Sequence, residues 1–312
     1  MAQDGFWNWG RPTIATEAAP RGTTSRRAFL RTVGGAISAS LVGCTSKFGL
    51  RKCELAADMT HPDLVAHLNG NIDQINAWRC MHVKITPHGG MMLAPSLSAN
   101  MAVERPRNFR LQASIPTGNL VDLGSNDERF WFWMRNDEEP ALLTARHDCL
   151  AAAQRQLPMP FEPDWLIEAL GVIPLDENEI EFEKHPTDPK RVFFRRKRKA
   201  PDGSSVELVS TVDTCRGVIV DHSLSDRTGK IVALANMGEH ERDGKTGAIL
   251  PHHVELAWPL AKVGLKIRMG AIEINPETLS AKQFAMPEIA NCPVYDIGGE
   301  TQQAGHTGRA KV

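Results

Sequence analysis

The chain has 312 residues and a formal net charge of −1, with 42% hydrophobic and 23% charged residues, enough apolar content for one large core. Residues 1–43 hold five Arg and two acids, so removing their +3 leaves the remainder at −4. That mild acidity excludes a nucleic-acid partner and a polybasic membrane face, because either needs a net basic surface.

The first 43 residues read as an address. Ser25, Arg26, Arg27, Ala28, Phe29, Leu30 and Arg31 resemble the twin-arginine export signal, in which paired arginines precede Phe, Leu and an apolar stretch. Residues 32–43 are small and weakly apolar, and so short a stretch cannot cross a hydrocarbon core that needs roughly 20 residues. Leu41, Val42, Gly43 and Cys44 match the lipobox of bacterial lipoproteins, whose cysteine takes a diacylglycerol and becomes the new N-terminus. Residues 1–43 are therefore expected to be a signal peptide, with Arg26 and Arg27 as its export pair and Cys44 as the lipidated residue. Residues 44–60 read as a tether. Two or more acyl chains bind a membrane stably, at roughly 0.8 kcal/mol per buried CH₂. The expected location is the cell envelope, membrane-anchored and facing the periplasm; Thr45 in place of Asp favours the outer membrane by the enteric sorting rule. The long stretch before Arg26 is compatible with a downstream start codon.

Beyond the tether, Pro62 suits a first helical turn and Asp63 the N-terminal dipole, and Leu64, Leu68, Ile72 and Ile75 share one helical face. From Met81 the period becomes two. Strands are predicted through Met81, Val83 and Ile85, through 97–103, through 109–115 and at Val121 and Leu123. Residues 129–133 are apolar on both faces, as in a strand covered on both sides. Helices are predicted over 146–156 and 164–170, the second opened by Pro163 and closed by Gly171. Hairpins resume at 192–199 with 206–212 and at 217–222 with 231–235, followed by strands at 254–258, 265–269 and 272–274. Residues 298–312 lack an apolar pattern and are expected to be a disordered tail. About ten sequence-adjacent strands with few helices imply an α+β domain over 61–297. Its expected fold is a curved antiparallel sheet forming an incomplete β-barrel, with helices covering an apolar cavity.

Chemistry-bearing motifs are sparse. After Cys44 come Cys53, Cys80, Cys149, Cys215 and Cys292. None is spaced as a zinc knuckle or redox dithiol, and their pairing is not readable. His252 and His253 are adjacent, so in a strand they point to opposite faces. Asp127, Glu128 and Arg129 read as a hairpin tip, and Arg195, Arg196, Lys197, Arg198 and Lys199 as an edge or loop charge run. No catalytic residue, metal or cofactor is expected.

The aromatics Trp78, Phe109, Trp165, Trp258 and the block Phe130 to Trp133 are either core or the lining of a cavity. The order of motifs resembles the bacterial lipoprotein-carrier superfamily of LolA and LolB. An amphipathic helix closes at Ile72, Asp73, Gln74, Ile75, Asn76, Ala77, Trp78; an Arg-Pro-x-x-Phe segment follows at Arg105, Pro106, Arg107, Asn108, Phe109. Residues 123–133 resemble the family's strand, Asp-containing turn and aromatic strand, and Lys282, Gln283, Phe284, Ala285, Met286, Pro287 its closing stretch. The likeness spans about residues 61–290; the greater length and the insertion at 158–189 depart from it. The resemblance implies a carrier that binds or transfers a lipid, an acyl chain or another lipoprotein, without covalent chemistry. It implies that Arg105 bonds to a lid helix, that Phe109 lines the cavity mouth, and that Trp78, Leu111, Phe130, Phe132 and Trp258 line the cavity. Two other readings stand beside it: a structural or partner-binding surface lipoprotein with a filled barrel and no ligand, and an exported metalloenzyme.

Overall fold

The computed structural model describes Cys53, Leu55, residues 59–89 and residues 96–299, apart from 137, 155 and 158–161. Arg26, Arg27 and Cys44 lie outside the described residues, as does the tail beyond Gly299.

The first helix, α1 (His61–Ile72), starts where the Thr60 hydroxyl accepts from the Asp63 amide at 3.4 Å, with Pro62 in the first turn. Leu64, Val65, Leu68 and Ile72 form its buried stripe. There follow β1 (Ala77–Gly89), β2 (Leu97–Glu104), β3 (Asn108–Ile115), β4 (Gly118–Ser125), β5 (Arg129–Met134) and β6 (Leu142–Arg146). Two short helices come next, α2 (Leu150–Gln154) and α3 (Pro163–Ala169). The chain then returns through β7 (Glu181–Lys184), β8 (Arg191–Lys199), β9 (Ser205–Asp213), β10 (Val218–Ser225), β11 (Ile231–Arg242), β12 (Ile249–Trp258) and β13 (Val263–Met269). It ends with β14 (Ile272–Ile274) and β15 (Val294–Asp296).

All of these strands belong to one sheet, in the order β15-β6-β5-β4-β3-β2-β1-β13-β12-β11-β10-β9-β8-β7, with β14 also on β1. The chain starts in the middle, meanders out to β6, crosses through α2 and α3 to the far edge, and meanders back until β13 pairs with β1. Neighbours are antiparallel except at β15 and β6, which run parallel. The edges β15 and β7 do not meet, so the sheet is not closed into a barrel.

The sheet is nevertheless strongly curled. Seven strand spacings separate β2 from β8, roughly 33 Å in a flat sheet at about 4.8 Å each. Yet α3, about 10 Å long, is ion-paired both to Arg107 beside β2 and to Arg196 on β8. Only a sheet wrapped around α3 satisfies both. The main core accordingly joins Phe109 and Phe130 of one meander, Leu208, Leu224 and Leu256 of the other, and Trp165, Leu166 and Ile167 of α3. A smaller core packs Leu64, Val65 and Leu68 of α1 on Val192, Phe194 and Val212.

Several elements differ from the sequence expectation. The helix expected at 146–156 is strand β6 up to Arg146, a 3₁₀ turn and the five-residue α2, because Ala145 and Thr144 pair with Phe130 and Trp131. The first strand begins at Ala77 rather than Met81. Within the insertion lies an additional exposed strand, β7. A disulfide joins Cys53 to Cys215 in the β9–β10 turn, and Leu55 donates its amide to the Cys215 carbonyl at 3.3 Å. Within the 44–60 segment, Cys53 and Leu55 are thus fastened to the β9–β10 turn. Cys80, Cys149 and Cys292 are free thiols.

Candidate functional site

The concave interior is organised around α3. Its helix begins at Pro163, whose missing N–H costs nothing in a first turn, and stops before Gly171, which takes the positive φ of +80° that ends the turn cheaply. Of its seven residues only Asp164 is not buried. A helix this short is not stable alone; the sheet around it supplies the stability.

One half of the interior is apolar. Trp78, Phe109, Leu111, Phe130 and Trp258 are all buried in one cluster, with Phe132 half-buried against it. These residues therefore belong to one core. Trp165 of α3 enters among them and meets Trp258 edge to face, centroids 5.9 Å apart and planes at 65°. The indole N–H groups of Trp78 and Trp165 and the Ser125 hydroxyl are buried there with no hydrogen-bond partner among the described residues, a departure from the usual pairing of buried polar atoms.

The other half is charged. Along β8, Arg196 and Arg198 share the inward face with Phe194, in register with Leu208, Val206 and Ser210 of β9. Arg196 pairs with Glu168, the last acid of α3, and Arg198 Nη2 lies 2.8 Å from Glu162 Oε1, just before α3. The run 195–199 is thus not an edge: it lies in a paired strand, with Arg195 and Lys197 outward on Glu183, Glu207 and Glu181. Burial raises the Glu162 carboxyl against the opposing pull of Arg198, and burial lowers Arg196. Beside them Ser210 Oγ and His222 Nδ1 are 2.8 Å apart, both buried. His222 is pushed down to about 3, first by burial and then by Arg196 and Arg198, so its imidazole is neutral. A base so weakened does not activate a serine at neutral pH; the pair is a neutral polar wall.

The β2–β3 turn holds the rim. Arg107 Nε and Nη2 donate to Asp164 Oδ1 and Oδ2 at 3.1 and 3.2 Å, gripping the first turn of α3. Arg105 turns the other way, its Nη1 3.9 Å from Asp73 at the end of α1 and its amide donating to the Asn76 carbonyl at 3.0 Å. The turn that the sequence selected through Arg105 therefore holds two helices, and the bond to α3 comes from Arg107. Phe109, two residues on, is fully buried beneath it.

On the opposite, outer face, Asp122 is saturated. It accepts from Arg110 Nε and Nη2 at 3.3 and 2.8 Å, Gln112 Nε2 at 2.9 Å and Trp131 Nε1 at 2.9 Å. Arg110 Nη1 also donates to the carbonyls of Gln283 and Ala285, at 3.1 and 3.3 Å, drawing the closing segment over the sheet. Gly124 makes room: a Cβ there would stand 2.1 Å from the Trp131 ring.

Between α1, the end of α3 and strands β10 to β12 lies a cavity of about 50 Å³ touching His222, Met237 and His240, far below the roughly 300–1,000 Å³ of small-ligand pockets. An open groove of about 480 Å³ runs outside between α1 and Pro174 to Glu177. Among the described residues no group of three or more His, Cys, Asp or Glu converges as metal ligands. His252 and His253 face different acids, Glu241 and Glu255. No helix among the described residues is long and apolar enough to cross a membrane.

No family model and no curated protein sequence matches the chain. Among solved structures the chain is similar to a DUF1329 family protein from Desulfovibrio piger, at 10% identity over 72% of this chain and 95% of that one, TM-score 0.48. It is similar to a putative outer membrane lipoprotein-sorting protein domain from Vibrio parahaemolyticus, at 7% identity over 72% and 97%, TM-score 0.48. A LolA superfamily protein from Nitrosomonas europaea matches at 9% identity over 71% and 97%, TM-score 0.45.

Proposed function

We propose that this is a lipid-anchored cell-envelope protein that binds or transfers an acyl chain, or the acylated end of another lipoprotein, in the concave interior that α3 fills. In this reading the protein is exported through Arg26 and Arg27, held on the outer membrane by lipid on Cys44, faces the periplasm and performs no covalent chemistry. The observation that carries it is α3 itself. A seven-residue segment occupies the space between two meanders and is fastened to the sheet by ion pairs at both ends.

Displacing α3 withdraws Trp165 from Trp258 and opens the cluster that also holds Trp78, Leu111, Phe130 and Phe132, and an acyl chain offers the same kind of apolar surface as the helix did. A chain of about 16 carbons left in water costs on the order of 12 kcal/mol, so a sheltered exchange of helix for chain is favourable where free diffusion is not. Arg105 on Asp73 and Arg107 on Asp164 keep the interior shut above Phe109. A soluble form beginning after residue 44 retains the whole sheet, both cores and the disulfide. Organic extraction and mass spectrometry should find co-purifying lipid, and a fluorescent fatty acid should bind; failure of both overturns the reading.

The small cavity favours a second reading, a tethered scaffold whose interior is permanently filled. Amide exchange along α3 separates the two. Exchange that accelerates when lipid is added supports displacement, and α3 amides that stay as protected as those of β1 under lipid support the scaffold.

A further inference from the structure

We infer that Arg196 and Arg198 form the head-group end of this interior, selecting an acyl chain that terminates in a carboxylate or phosphate, and that Glu168 and Glu162 occupy that end as a stand-in when no ligand is bound. The inference rests on the acyl-binding reading above and adds the chemical class of the ligand to it.

Energetics pose the question. Removing charged pairs from water costs several kcal/mol per ion, and well-packed apolar residues of similar volume often do as well or better. A sheet that needed only to bury α3 would gain nothing from two inward arginines. Their bonding is also sparse. Each guanidinium has five N–H donors, yet among the described residues each makes one ion pair, and Arg198 Nε is buried with no hydrogen-bond partner there. Two residues apart on one strand face, the guanidiniums rise from points about 6.6 Å apart, close enough to converge on one anionic group. Their neighbours Ser210 and His222 present hydrogen-bonding atoms without a competing charge, since His222 is held neutral.

The stand-in is an amphiphile in miniature. From Glu162 to Glu168 the segment puts carboxylates on Arg198 and Arg196 while Trp165, between them, enters the aromatic half against Trp258. An anionic lipid offers the same two parts, an acid for the arginines and an apolar chain for the aromatics, joined at the same place. Carboxylates and phosphates are both natural partners for guanidinium.

The test uses the full chain carrying Cys44→Ser, with palmitate, hexadecyl phosphate, methyl palmitate and inorganic phosphate as competitors for a bound fluorescent fatty acid. Palmitate or hexadecyl phosphate should compete at least about tenfold more strongly than methyl palmitate, as expected for a charge-assisted bond; the stronger of the two identifies the head group. The Arg196→Gln, Arg198→Gln double variant should bring that ratio close to one. Should it fail to fold, Glu162→Gln with Glu168→Gln removes the stand-in's charge and should tighten palmitate by about tenfold. Equal competition by palmitate and methyl palmitate, no tightening in the glutamine variant, or inorganic phosphate competing as well as hexadecyl phosphate each overturns the head-group assignment while acyl binding stands. Binding of no acyl probe at all overturns both.

Discussion

Arg110 on the outer face and Arg196 with Arg198 on the inner face are all largely buried and paired to acids, but the two arrangements differ in how completely they are bonded. Asp122 accepts from three side chains, and Arg110 Nη1 donates to the carbonyls of Gln283 and Ala285. Among the described residues the inner arginines carry one ion pair each, and Arg198 Nε has no partner. A saturated network gives up a full set of bonds when it opens and so behaves as a fastener. An unsaturated one gives up little when one acid replaces another, which is what an exchangeable contact needs.

The sharpest way to break this comparison is to remove one acid from each side. Asp122→Ala leaves Arg110 without its acid and the Trp131 N–H buried without an acceptor, and should cost about 3–5 kcal/mol in urea unfolding. Glu162→Gln with Glu168→Gln should cost less than half of that, because the glutamine carbonyl still accepts; equal losses would show that the inner cluster is a fastener too.

Acid is the next probe. His222 and His240 are lowered to about 3 and about 4, in both cases chiefly by burial. Their folded values lie below the ordinary 6.5, so the stability they contribute is complete above that pH and is lost as pH falls through the window toward 3. Burial lifts Glu162 instead, which acts in the opposite sense as pH falls. The net loss between pH 7 and 4 should be on the order of a few kcal/mol, and His222→Asn should remove roughly half of the histidine contribution.

Gly70→Ala touches neither cluster. A Cβ at Gly70 meets nothing within 4 Å, so this change should stabilise the protein by about 1 kcal/mol and calibrate the others. Smallest in stability is Arg107→Leu, which removes a half-exposed pair worth about 0.5 kcal/mol. Its readout is instead faster amide exchange along α3, while Arg105→Leu should alter lipid release kinetics; unchanged release would remove Arg105 from the clasp.

Much of this architecture was legible because it is local. Alternation located β2 and β3, and the run at 129–133, apolar on both faces, pointed to β5 as a strand covered on both sides: Phe130 is buried inward and Trp131 outward. Pro163 and Gly171 bracketed α3. The inner charge cluster was not legible, since Arg196 and Arg198 look like any exposed basic run until Glu162 and Glu168, some thirty positions earlier, are placed opposite them. One signal was present: Glu162 and Glu168 bracket a short segment rich in apolar residues. The Cys53–Cys215 pair, 162 positions apart, and the parallel return of β15 to β6 depend on how the chain crosses the sheet, which no local pattern encodes.

The Cys53–Cys215 bond also shortens a leash. Were residues 44–60 free along their whole length, the domain would roam widely above whatever surface held Cys44. With Cys53 fastened at the β9–β10 turn, only nine residue steps remain, about 30 Å fully extended. A lipid on Cys44 would therefore keep that end of the sheet within one leash length of the bilayer, and reduction of the bond would let the domain swing free.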